Sequence, residues 1–190
     1  MLNQVILLAI LAGPAQPPAA GKPDSYYPPQ VGNTWHYKVG DKKVSTKVVA
    51  HEKIGDLMTA RIETIIDGNV AANENIAQTA EGLLRVAVNG QKADKPVLFL
   101  KLPPVKGDSW DSDTKFAGDT VKGKFTAGDE EIQVPAGKYK TVTTEGDLQI
   151  NGQPAKIAYW FAPNVGIVKL KMTIGQMDLI WELQKYEAGK

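Results

Sequence analysis

Apolar and polar residues alternate along much of this chain with a period of two. Val44, Thr46, Val48 and Ala50 interleave with Lys43, Ser45 and Lys47, and Met177, Leu179, Trp181 and Leu183 interleave with Gln176, Asp178, Glu182 and Gln184. A two-residue period sends successive side chains to opposite faces, so each run predicts a β-strand with one buried and one wet face. Between the runs stand Gly40-Asp41, Gly55-Asp56, Asp67-Gly68, Glu81-Gly82, Asn89-Gly90, Gly128-Asp129 and Asn151-Gly152. Several of these dipeptides tolerate positive φ and favour tight hairpins. Almost every connection is too short for the crossover helix that parallel neighbours require. The pattern therefore predicts an antiparallel meander of about ten to twelve strands with little helix. Two stretches fall outside it: Ile76 to Leu84 has room for a helical turn, and the Asp- and Ser-rich Gly107 to Gly118 reads as a loop.

So many strands in one sheet twist and curl, and closing or nearly closing the sheet protects its edges. The expected fold is all-β, an antiparallel meander curled into an open or nearly closed β-barrel. Alternation in Tyr159-Trp160-Phe161 sends Tyr159 and Phe161 to one face and Trp160 to the other, so both faces are partly apolar there.

One phrase occurs twice. Pro28-Pro29-Gln30-Val31-Gly32-Asn33-Thr34-Trp35 returns as Pro103-Pro104-Val105-Lys106-Gly107-Asp108-Ser109-Trp110. Prolines without a donor, a turn-forming Gly with Asn or Asp, then Thr or Ser and a large aromatic anchor form a rule for opening a strand. Two accounts fit: duplication of a strand-rich unit into two related halves, or convergence on a good strand-opening sequence.

Composition narrows the function classes. The 190 residues suit one domain with a sizeable core. Lys plus Arg number 22 against 21 Asp plus Glu, and Arg61 and Arg85 are the only arginines, which argues against a nucleic-acid partner. Cysteine is absent, excluding a disulfide framework, thiolate zinc, a cysteine nucleophile and a lipid-modified N-terminal cysteine. Val5 to Ala12 is a short apolar run followed by small residues, Gly13-Pro14-Ala15 and Pro18-Ala19-Ala20. This predicts a signal peptide over residues 1–20, cleaved between Ala15 and Ala20, because the run is too short to span a bilayer. A Pro-rich linker over 21–30 and a single β-rich domain over 31–190 follow, with no transmembrane segment in the mature chain. The expected location is periplasmic or secreted, soluble and without a lipid anchor.

Catalytic chemistry has no foothold in the motifs. His36 and His51 are the only histidines, with no HxH, HxxxH or HExxH spacing, and there is no GxSxG, Walker or GxGxxG phrase. The expectation is a non-enzyme without a cofactor. Asp108, Asp111 and Asp113 are a weak calcium candidate lacking the bend glycine and distal glutamate of an EF-hand, and a solvated loop is the simpler reading.

Tyr27-Pro28 through Val31-Gly32-Asn33-Thr34-Trp35-His36-Tyr37, Val134-Pro135-Ala136-Gly137, and Tyr159-Trp160-Phe161-Ala162-Pro163-Asn164-Val165-Gly166-Ile167-Val168-Lys169 resemble the phrases of a broad group of uncharacterised bacterial exported proteins. That group's anticipated fold is similar to the open barrels of periplasmic lipoprotein-localisation carriers. Pro29 stands where the group usually has a larger apolar residue, and Asn164 where it often has Gly. The resemblance implies compartment and architecture and no activity.

Two functions follow as expectations. The first is a soluble exported module holding a lipid or other apolar or amphipathic ligand in the curved sheet, lined by Trp35, Tyr37, Trp110, Tyr159, Phe161 and Trp181. The alternative is a structural or protein-interaction module of the cell envelope, its core filled by its own side chains and its partner an envelope protein.

Overall fold

The computed structural model describes residues 25–116 and 118–189, so the expected signal peptide and its cleavage site lie outside the described residues. Twelve strands follow one another: β1 (Thr34–Val39), β2 (Lys42–Ile54), β3 (Leu57–Ile66), β4 (Asn69–Gln78), β5 (Gly82–Val88), β6 (Gln91–Lys101), β7 (Ser109–Phe116), β8 (Asp119–Val134), β9 (Gly137–Ile150), β10 (Gln153–Ala162), β11 (Gly166–Ile174) and β12 (Met177–Glu187). Among the described residues there is no helix. All twelve join one antiparallel sheet in the order β6-β5-β4-β3-β2-β1-β12-β11-β10-β9-β8-β7. The chain thus makes two six-stranded meanders, β1–β6 and β7–β12, joined where β1 pairs with β12.

The remaining edges, β6 and β7, face each other without a backbone ladder, and side chains bridge the gap. Thr114 Oγ1 accepts from Lys95 N (3.1 Å) and donates to Lys95 O (2.6 Å), Trp110 Nε1 donates to Leu98 O (2.7 Å), and Lys101 Nζ meets Asp108 Oδ2 (3.0 Å). The result is a nearly closed barrel-like sheet whose last seam is stitched by side chains.

The doubled phrase opens each meander in the same way. Gly32 N donates to Val48 O and Val48 N to Asn33 O; Gly107 N donates to Ala127 O and Ala127 N to Asp108 O. Asn33 N to Gln30 O and Asp108 N to Val105 O complete the matching turns. Since odd strands of a meander run the same way, Trp35 and Trp110 enter from one end, the terminal end. Gly40-Asp41, Asp67-Gly68, Asn89-Gly90, Asn151-Gly152 and Gly175-Gln176 form the other, the hairpin end.

Three expectations are corrected. Ile76 to Leu84 holds no helical turn: β4 ends at Gln78 and β5 starts at Gly82. The stretch read as a loop contains β7, because Trp110, Ser112, Thr114 and Phe116 alternate with Asp111, Asp113 and Lys115; Ser112 and Thr114 are buried. A short hydroxyl side chain tolerates burial when it is hydrogen-bonded, as Thr114 is at the seam. Finally, ordered packing begins before residue 31. Tyr27 is 3% exposed and stacks on Trp35 at 4.9 Å, while Ser25 N donates to Asn164 Oδ1. Ser25 to Pro29 therefore closes the terminal end instead of leading to it as a free linker.

The apolar character of both faces around Trp160 has a local cause. Gly128 to Thr141, the tip of the β8–β9 hairpin, runs beyond its β7 and β10 partners and folds back. Ala136 N donates to Leu183 O (2.9 Å), Trp160 Nε1 donates to Glu130 Oε2 (2.7 Å), and Val134 is 2% exposed. Tyr159 and Phe161 meanwhile point into the core.

Candidate functional site

The barrel interior is filled at its terminal end and open at its hairpin end. At the terminal end Trp35 and Phe161 are fully buried, Tyr159 is 1% and Tyr37 4% exposed, and Trp110 and Trp181 are partly buried. These rings pack on one another and on neighbours: Trp35 on Tyr27 and Tyr186, Tyr37 on Trp181, Tyr159 on Phe99 and Phe161, and Trp110 on Phe125. Buried polar tips are satisfied, Trp35 Nε1 donating to Val165 O (2.6 Å) and Tyr37 OH to Ile167 O (2.8 Å). The void left among them, bordered by Tyr27, Tyr37, Tyr159 and Trp181, is about 70 Å³. That admits a few waters, whereas ligand pockets run to about 300–1,000 Å³. Of the six residues expected to line a ligand cavity, Tyr37, Tyr159 and Trp181 border this void, and Trp35, Trp110 and Phe161 do not.

A charged pair that sequence reasoning missed also borders it. Arg85 Nε lies 2.6 Å from Glu74 Oε2, the guanidinium reaches Tyr159 OH at 3.3 Å, and it sits 5.1 Å above the Phe99 ring. Burial works against the Arg85 charge, but the Glu74 carboxylate and Tyr159 hydroxyl outweigh it and hold its pKa above the ordinary guanidinium value. With both partners satisfied, the pair is a structural element of the core. Each side chain is 23% exposed, so Arg85→Met should cost about 2 kcal/mol, below the ~3–5 kcal/mol of a fully buried pair. Adding Glu74→Leu should recover part of that loss in urea denaturation; a double variant whose cost equals the sum of the two single costs would show that the pair is not coupled.

Burial also raises the pKa values of Tyr27, Tyr37 and Tyr159 above the ordinary 10.0. A folded-state value above the unfolded one gives stability that is complete below pH 10 and lost as pH rises through the folded values. Absorbance at 295 nm should show these three phenols ionising only together with unfolding above about pH 10; normal titration before unfolding would contradict their burial.

Toward the hairpin end the inner face of the second meander stays apolar and becomes exposed. Pairing places Thr144, Tyr159, Leu170 and Trp181 in one lateral row across β9 to β12. The next row is Gly146, Ile157, Met172 and Leu179, and the one beyond it Leu148, Ala155, Ile174 and Met177. Gly146 lets Phe125 and Ile157 pack directly over the backbone, since a Cβ there would lie 2.6 Å from Phe125 and 2.9 Å from Ile157. The first row is core, but Leu179 is 39%, Ile174 41% and Met177 60% exposed. Exposure follows from strand lengths: β1 stops at Val39, where Gly40 at φ 57° turns the chain, and its last partner on β12 is Glu182. Met177 to Trp181 therefore extend beyond β1 with a free edge.

The opposite face of these strands is charged. Asp111, Lys124, Asp147, Lys156, Thr173 and Asp178 form one continuous lateral row from β7 to β12. Lys124 meets Asp111 at 3.9 Å, Lys156 meets Asp147 at 3.1 Å, and Thr173 Oγ1 donates to Asp178 Oδ1 at 2.5 Å. Each of the three calcium candidates stands beside a lysine: Asp108 faces Lys101, Asp111 faces Lys124 and Asp113 faces Lys122 at 3.3 Å. Alternation on β7 and β8 sets each acid beside a lysine, and among the described residues no three His, Cys, Asp or Glu side chains gather as a metal site.

No family model and no curated protein matches the chain. Two solved structures share its fold. A putative lipoprotein from Parabacteroides distasonis has 13% identity and a TM-score of 0.54, covering 86% of this chain and 99% of that one. A putative exported protein with a YmcC-like fold from Bacteroides fragilis has 12% identity and a TM-score of 0.50, covering 87% of this chain and all of that one. At these identities the likeness is one of fold.

Proposed function

We propose that this protein is a non-enzymatic exported binding module that takes an apolar or amphipathic chain onto the open inner face of β10 to β12. The observation that carries the reading is the run of inner-facing Ile157, Met172, Ile174, Met177 and Leu179 past the end of β1, where Ile174, Met177 and Leu179 stand exposed beside the half-buried Ile157 and Met172. Contiguous exposed apolar surface on a folded domain marks a binding site. The aromatic interior at the terminal end is the rigid base on which this face is held, so the binding residues move from the six aromatic positions to the aliphatic rows above them. Support for export comes from the N-terminal apolar run, and the exported and lipoprotein descriptions of the two fold neighbours agree with it.

Native mass spectrometry of the protein purified from an envelope fraction without detergent tests the reading. A bound mass that leaves on solvent extraction and partitions as lipid is expected. A ligand-free spectrum, together with no uptake of added fatty acid, would sink it. The free edge of β12 favours a second reading, in which an extended segment of an envelope protein pairs with Met177 to Trp181. That reading predicts a bound polypeptide in the same spectrum.

A further inference from the structure

We infer that the polar void at the floor of the inner face receives the uncharged, hydroxyl-bearing end of an amphiphile whose chain lies along the exposed aliphatic rows; this rests on the binding function proposed above. The void of about 70 Å³ is bordered by Thr46, Thr64, Glu74 and Arg85 of the first meander and by Leu170 and Trp181 of the second. That volume takes a few waters, or a hydroxyl group with the carbon beside it.

The lining offers hydrogen bonds that the protein does not use. Thr46 is 7% exposed, and its Oγ1 is buried without a hydrogen-bond partner. It stands close enough to the Tyr27 and Tyr37 hydroxyls to temper the rise in their pKa, but not in hydrogen-bonding geometry, and Tyr37 OH is committed to Ile167 O. Among the described residues Arg85 donates from Nε and Nη1 and not from Nη2. A buried polar atom without a partner is rare in a folded protein and marks a place for a ligand or water atom. Charge then selects the headgroup. Arg85 and Glu74 neutralise each other at 2.6 Å, so an anionic head would meet the Glu74 carboxylate and a cationic one the Arg85 guanidinium, each buried without a counter-charge. A hydroxyl both donates and accepts, which suits this mixed set of groups.

The void and the aliphatic rows share one face. Tyr159, Leu170 and Trp181 border the void in one lateral row, and Ile157, Met172 and Leu179 stand two residues further along the same strands, about 7 Å away by strand geometry. Glu74 and Arg85 lie directly opposite the core residues Ile62 and Ile76 and so point inward, yet each side chain is 23% exposed, which shows the void to be open to solvent. Leu170 and Trp181, themselves only partly buried, stand between it and Leu179.

The test titrates the full chain with 1-decanol, decanoate and decylammonium, each below any micellar concentration, by calorimetry. Decanol should bind about tenfold tighter than either charged compound, whose head stays in solvent at the mouth of the void while its chain alone lies on the rows. Thr46→Val keeps the side-chain shape and removes the hydroxyl. It should cut decanol affinity about fivefold and leave decanoate affinity and the thermal transition unchanged. Equal affinity for the three compounds, or a decanol preference undiminished in Thr46→Val, would overturn the hydroxyl site and leave the apolar face standing. Tightest binding by decanoate or decylammonium would overturn it too, since Arg85 or Glu74 would then be recruiting a charge. No binding by any of the three would remove the proposed function along with the inference.

Discussion

Replacing Leu179 with Asp should weaken binding of a monomeric fatty acid at least about tenfold while shifting the thermal midpoint by no more than about 2 °C, consistent with the ±0.5 kcal/mol of surface substitutions. Leu179 is 39% exposed on the free edge of β12, beside Met172 and in line with Ile157, so its substitution removes few core contacts. In the binding mode proposed above, the side chain lies beneath the apolar chain of the ligand. Losing its contribution forfeits about 1.5–3 kcal/mol, and a carboxylate adds a desolvation cost there, for a loss of at least about tenfold in affinity. Ile180, on the opposite face of the same strand, provides the control: it is 41% exposed and paired in register with Lys171. Ile180→Asp should leave affinity unchanged. Equal losses at both positions would mean that unfolding of the β11–β12 hairpin, and not the inner face, accounts for the effect.

Trp35→Ala should be the most destabilising single truncation among the aromatic residues, at about 3–5 kcal/mol in urea denaturation. Trp35 is fully buried, stacks between Tyr27 and Tyr186, and donates from Nε1 to Val165 O. Its truncation releases Tyr27, which closes the terminal end, and leaves the Val165 carbonyl without that donor. Gly166 would face the vacated space, since a Cβ on it would lie 3.1 Å from Trp35 Nε1. Trp110 is only partly buried and anchors the side-chain seam to Leu98 O, so Trp110→Ala should cost less. The two echoes of one phrase thus do different work: one fills the core and the other closes the sheet. Equal costs at both tryptophans would argue that the seam is as strong as the core.

The strand count and antiparallel order were legible because alternation and turn dipeptides are local signals. The depth of each position was not. Alternation correctly put Met177, Leu179, Trp181 and Leu183 on one face, yet Leu183 is fully buried and Met177 60% exposed, because the extent of the neighbouring strand β1 decides the difference. The same limit explains Asp111 and Asp113, whose acidic run hid a strand until their lysine partners on β8 were known. Glu74 and Arg85 stand eleven residues apart on adjacent strands, where bulges in both pairings of β5 turn Arg85 toward the carboxylate. No sequence period reports a bulge. Tyr27 looked like linker because Pro28 and Pro29 follow it, and the stack on Trp35 shows why it is ordered.

The most direct test of the binding face is a two-dimensional NMR titration of protein carrying ¹³C-labelled methionine methyls with a monomeric fatty acid. Met172 and Met177 lie on the inner rows, and Met58 sits 62% exposed on β3 near the terminal end as an internal control. Saturable shifts of the Met172 and Met177 methyls are expected, with Met58 unmoved. Shifts confined to Met58, or none at any of the three while the fatty acid remains monomeric, would contradict it.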